Sequence, residues 1–263
     1  MHHHYIDQFA QGDSPVHRLD ARAKLLAVLA YTVAIISFNR YEILALAPLA
    51  IFPLAMLWLS AVPVGFALRR TAILSPFILM LCLAGPFYDR QFVSLAVGPW
   101  HFSMAGGYLT AINLALKFTL GVLALTALMC STPFAQLLQA MRKLGLPNLL
   151  CVQLGFLYRY IFVLIDEAMR LRRTRDFRLG GLAPAGRRLS AVGGIIGSLF
   201  VRTLDRGERI HLAMCARGYR GQSHSLTQLH FSRTDAVFLA ATFCYLAVCR
   251  LTYPLLIRGG PHG

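Results

Sequence analysis

Residues 25–39, 43–68 and 71–88 contain no Asp, Glu, Lys or Arg. Long runs of this kind constrain the fold more than any other feature of the chain. A charged side chain at the centre of a bilayer is costly, and a helical span needs about 20 mostly apolar residues. Residues 108–129 carry one charge, Lys117, and residues 235–257 are interrupted by Arg250 and Pro254. The pattern predicts an all-α integral membrane protein with about five transmembrane helices. Pro48, Pro53 and Pro63 in the second run are compatible with a span, because neighbouring helices can satisfy the carbonyls they free. Lys117 is expected to snorkel or to pair inside the bundle. An ion relay would need a carboxylate in that span, and there is none. Residues 91–107 hold Gly98-Pro99-Trp100 and Gly106-Gly107, which predicts an external loop or re-entrant segment with an interfacial Trp.

Composition supports this class. Of the 263 residues, 57% are hydrophobic and only 14% charged, against about 25% charged in a soluble domain. Mean hydropathy is +0.57. Intrinsic disorder, collagen and a secreted disulfide scaffold are excluded, with 21 Gly, 12 Pro and 6 Cys in the chain. The cysteines form no CxxC or Cys/His ladder, so buried free thiols are expected. Residues 1–20 have no apolar core and hold Asp7, Asp13 and Asp20, unlike a cleaved signal. The run His2-His3-His4 has no partner ligands nearby and is read as a solvated end.

The charge is lopsided, with 26 Lys+Arg against 11 Asp+Glu and a net +15. It is also segregated. Residues 130–233 hold 16 of the basic and 5 of the acidic residues, +11 of the total. Arg18, Arg22, Lys24, Arg69 and Arg70 place the N-terminus and the turn after span two in the cytoplasm of a bacterial inner-membrane, multi-pass protein. The expected organisation is a cytoplasmic segment 1–24, a four-span region 25–129, a cytoplasmic region 130–233, and a last span with the C-terminus at 234–263.

The region 130–233 alternates apolar and cationic segments, as amphipathic cytoplasmic helices do. Residues 149–168 have Arg159 in the middle, and 170–178 form a basic cluster. Residues 189–201 carry Gly193, Gly194, Gly197 and Ser198, small residues suited to close helix approach. Helix breaks are expected at Gly145-Leu146-Pro147 and at Gly180-Gly181. Two short segments resemble each other. Thr174-Arg175-Asp176-Phe177-Arg178 parallels Ala216-Arg217-Gly218-Tyr219-Arg220, each a few turns after a glutamate, Glu167 or Glu208. Such arginines can cap helix ends and hold lipid headgroups. Equally, two equivalent arginine-bearing helix ends can dock into acidic grooves of a partner present twice, through charge-assisted bonds.

The whole chain resembles the CbiQ/EcfT family, the transmembrane T components of energy-coupling factor importers. His17-Arg18-Leu19-Asp20-Ala21-Arg22-Ala23-Lys24-Leu25 is similar to the family's lead into span one. Leu144-Gly145-Leu146-Pro147 and Tyr158-Arg159-Tyr160 are similar to its central block. Ala213-Met214-Cys215-Ala216-Arg217-Gly218-Tyr219 resembles its Ala-Arg-Gly signature, from which Thr174-Arg175-Asp176 departs. The resemblance implies coupling helices seated on two copies of an ATPase, with Arg175, Arg178, Ala216, Arg217, Gly218 and Arg220 as the interface. It also implies a small membrane substrate-binding subunit for cobalt or nickel, with ATP and magnesium held by the partner ATPases. No cofactor is expected on this chain.

The residues themselves offer no catalytic chemistry. There is no GxxxxGK[ST] and no HExxH, and His211, His224 and His230 do not form a ligand set. The competing reading is a membrane enzyme acting on a phosphate-bearing lipid through Arg170 to Arg178, with Asp166-Glu167 as its one acidic pair. A third reading, a nucleic-acid binder drawn by the +15 charge, is opposed by the five apolar runs.

Overall fold

The computed structural model describes residues 12, 14–39, 46–88, 92–97, 100–179, 185–221 and 230–258. The expectations for His2–His4, Gly98-Pro99, Gly180-Gly181 and His224 lie outside these residues. Two compact units emerge, one of residues 1–140 with 229–263 and one of 141–228.

In the first unit, α1 (Ala21–Ser37) packs against α5 (Gly106–Ser131) and α9 (Arg233–Arg258). Leu120, Leu123, Ala124, Ala127 and Leu128 of α5 are buried at the spacing of one helical face. The second apolar run is broken into α2 (Leu46–Leu49) and α3 (Ile51–Leu59). Tyr31 of α1 reaches this break and donates to the Leu49 carbonyl at 2.8 Å. Its ring lies 4.7 Å from that of Phe52.

The boundary expected at residue 68 falls earlier. The chain turns at residues 60–63, and α4 runs Val64–Tyr88. Arg69 and Arg70 therefore sit in the first two turns of α4, not in the turn after span two. The stop is a Schellman motif: Val62 N–H donates to the Leu57 carbonyl at 3.2 Å and Ala61 N–H to Trp58 at 3.1 Å. Ala61 takes the left-handed conformation at φ 53°, a position usually filled by glycine. Without a glycine there, the sequence gives no stop signal, and Pro63 follows as the first residue the next helix can accept.

Between α4 and α5 stands an antiparallel hairpin, β1 (Phe92–Val97) with β2 (Trp100–Ala105), in which Val97 pairs with Trp100. The segment expected as a loop or re-entrant stretch is thus a paired ribbon, and all other described elements are helical. Phe92, Val93, Trp100 and Phe102 are β-branched or aromatic, as strands favour.

Among the described residues, three helices are long and apolar enough to cross a membrane by length and composition. They cover residues Gly107–Ser131, Asn148–Phe177 and Arg233–Thr252. α4, with 25 residues, spans about 37 Å at 1.5 Å per residue, also enough for a bilayer.

Both ends of α1 are tied by charged groups. At its C-terminus Lys117 donates to the Phe38 carbonyl at 2.5 Å. Arg250 donates to Ser37 at 3.2 Å and covers the Phe38 ring at 5.0 Å. Cations suit the exposed carbonyls of a helix end. The lysine in span four thus pairs inside the bundle, with main chain.

At the other end, Asp20 caps α1 by accepting from Arg22 N–H at 2.8 Å. Asp235 accepts from Asp20 N–H at 2.8 Å and from Ser232 N–H at 2.7 Å. Lys24, fully buried, donates to the Ser131 carbonyl at 2.8 Å. It stands just outside the apolar run 25–39. Burial pushes its ammonium down to about 8, while Asp20 and Asp235 pull it up. His17 extends the cluster: Nε2 donates to the Cys130 carbonyl at 3.3 Å, and Nδ1 accepts from Ser14 at 2.7 Å.

Candidate functional site

The second unit holds the doubled arginine motif. It follows α6 (Phe134–Lys143), which ends in another Schellman motif with Gly145 at φ 106°. The break expected at Gly145-Leu146-Pro147 is therefore a glycine stop. Two helices follow, α7 (Asn148–Leu179) and α8 (Ala185–Ala216). α7 is continuous through both the apolar segment 149–168 and the basic cluster 170–178, and α8 runs through 189–201 and beyond.

The two helices run antiparallel. Arg202 donates to Glu167 at 2.7 Å, and Arg170 stands 3.9 Å from the same carboxylate. Asn148 donates to the Gly221 carbonyl at 3.2 Å. The start of α7 thus lies beside the end of α8, with the glutamate–arginine pair between. Glu167, read only as the acidic residue before the first motif copy, is the bond between the helices. Gly193, Gly194 and Gly197 do not mediate that packing, because an added Cβ on any of them would meet nothing within 4 Å.

The antiparallel arrangement separates the two motif copies. Ala216, Arg217, Gly218 and Arg220 stand at the α8 end, next to the start of α7. Arg175 and Arg178 stand near the opposite end of α7. Between them lie roughly 23 residues of helix, on the order of 35 Å at 1.5 Å per residue. The structure therefore presents two arginine sites rather than one cluster.

The copies differ in local structure. Ala216 is the last residue of α8, Arg217 its C-cap and Gly218 the left-handed residue beyond, at φ 82°. Gly218 N–H donates to Cys215 at 3.0 Å and Tyr219 N–H to Met214 at 3.0 Å, the paired bonds of a Schellman stop. The Ala-Arg-Gly sequence is thus a helix terminator that throws the arginine off the helix end. The Arg217 side chain is exposed and has no ion pair among the described residues. In the first copy Asp176 replaces the glycine, and α7 continues through Arg178 to Leu179. Asp176 binds Arg175 through Nη2 at 2.7 Å and Nε at 3.1 Å, and Arg172 approaches its other oxygen at 3.9 Å. Phe177 beside them is 87% exposed.

Gly218 needs its backbone freedom, not its lack of bulk, since a Cβ there would meet open space. Gly218→Ala is expected to weaken the α8 stop by about 1 kcal/mol. Amide exchange at residues 218 and 219 should quicken about fivefold, the equivalent of that energy. Unchanged exchange would show that the turn is not held by the left-handed residue.

A family model described as cobalt transport protein, CbiQ, matches residues 12–229. The chain belongs to the CbiQ/EcfT family. The match takes in α1 through α8 and both arginine sites. Two bacterial relatives are energy-coupling factor transporter transmembrane proteins EcfT. That of Bacillus selenitireducens is 28% identical over 92% of this chain and 94% of its own length. That of Bacillus subtilis is 28% identical over 82% and 84%. A putative fused cobalt transport protein CbiMQ of Methanocorpusculum labreanum is 29% identical over 83% of this chain, covering 37% of the fused protein.

Proposed function

We propose that this CbiQ/EcfT chain is the coupling subunit of an energy-coupling factor importer. It transmits ATP-driven motion from two ATPase subunits to a small substrate-binding membrane subunit, with cobalt or nickel as cargo. The chain itself is not an enzyme, and ATP and magnesium are bound by the partner ATPases. The N-terminus and both arginine sites face the cytoplasm of a bacterial cell, with α7, apolar enough to enter a bilayer, lying along the membrane surface.

One observation carries this reading: Arg217 projects, exposed and with no ion pair among the described residues, from a helix end built to terminate there. An arginine stabilising its own fold would be paired within the unit, as Arg202 is with Glu167. The second arginine site at the far end of α7 supplies a place for a second copy of the same partner. Along α8, Val192, Ile196, Phe200 and Leu204 are exposed apolar side chains, suited to contact with the bilayer or with the membrane subunit.

Affinity purification of the tagged chain from cells that also express the cognate ATPase tests the assembly. The expected result is two ATPase copies per chain, with ATP hydrolysis by the complex and none by the isolated chain. Recovery of the chain without ATPase, or hydrolysis by the chain alone, would overturn the reading.

A further inference from the structure

His211 and Cys215 lie one helical turn apart in the last turns of α8, and both are exposed. His211 Nε2 stands 3.6 Å from Cys215 Sγ. We propose that this pair is a bidentate site for a divalent metal of the zinc class, with zinc, cobalt(II) and nickel sharing the required chemistry.

The argument begins with the spacing. A tetrahedral ion bonds thiolate sulfur at about 2.3 Å and imidazole nitrogen at about 2.0–2.1 Å. At a tetrahedral angle those bonds hold the two ligand atoms about 3.6 Å apart. The side chains already stand at that bite distance, so binding needs little rearrangement. Imidazole and thiolate are the ligands this metal class prefers over magnesium or calcium.

The local field also suits a cation. The carboxyl end of a helix carries partial negative charge. Glu208 stands on the same helical stripe, one turn before His211. At about 100° per residue, Arg206 and Arg209 lie about 180° and 120° around the helix from Cys215. No group of three ligands is found among the described residues, so water completes the shell. Binding converts the thiol to thiolate and releases its proton to solvent. The chelate would brace the last turn of α8, where the Cys215 carbonyl accepts from Gly218 N–H, next to Arg217.

Cobalt(II) chloride is the probe. The full chain, purified in detergent with a non-thiol reductant, is titrated while absorption is recorded. The expected result is thiolate-to-cobalt charge-transfer and visible d–d bands that saturate at one equivalent. Cys215→Ser should abolish the bands, and His211→Ala should weaken binding at least tenfold. Both side chains are exposed, so circular dichroism of the two variants should match the unaltered chain. No bands in the unaltered chain, or bands of full strength in either variant, would overturn the site.

Discussion

Replacing both Arg175 and Arg217 with Glu is expected to abolish recovery of the ATPase subunits, while the chain still inserts into the membrane. Truncating one partner of a desolvated, hydrogen-bonded charge pair costs about 2–5 kcal/mol. Two reversals place glutamates against the acidic surfaces proposed for the partners, so affinity should fall a thousandfold or more, at about 1.4 kcal/mol per factor of ten. The single variants should be unequal. Arg217 has no ion pair among the described residues to lose, so Arg217→Glu removes docking energy only. Arg175 is already held by Asp176 at 2.7 Å, and docking must compete with that bond. Arg217→Glu should therefore weaken ATPase recovery more than Arg175→Glu. Pull-down of the ATPase with each variant, alongside a cobalt-uptake assay, decides the matter. Undiminished recovery and normal uptake in the double variant would remove the docking role.

The features legible in the sequence were those carried by uninterrupted local signals. The apolar runs located α1, α4 and α5, and the break at Gly145-Leu146-Pro147 marked the end of α6 because a left-handed glycine closes that stop. The boundary before α4 was misplaced because its stop uses Ala61, which looks like any apolar residue in a run. The hairpin at 92–105 was hidden by Gly98 and Pro99, residue types that mark a loop as readily as a two-stranded turn. The difference between the two arginine sites turns on one position: Asp176 permits the helix to continue where Gly218 ends it. The pairing of Glu167 with Arg202 was out of reach because nothing local links residues on different helices. The clasp around Asp235 had a readable half. Ser232 and Asp235 have the spacing of a capping box, in which the third helical residue reaches back to the cap N–H. Its other half, the Asp20 N–H, lies more than 200 residues away and appears only in the fold.

That clasp should dominate the stability of the membrane unit. Asp235, 2% exposed, accepts bonds from the caps of both α1 and α9 and lies close enough to raise the affinity of Lys24 for its proton. Asp235→Ala leaves two N–H groups without their acceptor and a buried ammonium with Asp20 as its remaining carboxylate. Removing one member of such a buried charged network costs about 3–5 kcal/mol. For a chain of this size that is a fall of roughly 10 °C in the melting temperature in detergent. Lys24 gives the effect a pH signature. Its proton is held to about 8 in the fold, against an ordinary 10.5. Between those values the unfolded chain binds the extra proton, so the stability of the native chain rises with pH across that window. With Asp235 gone, burial acts against less attraction, and the rise should begin at lower pH. Lys24→Met in the Asp235→Ala background should then cost less than Lys24→Met alone, because the ammonium it removes has become a liability. A variant that melts within a degree of the unaltered chain would show that Asp235 does not hold these helix ends together.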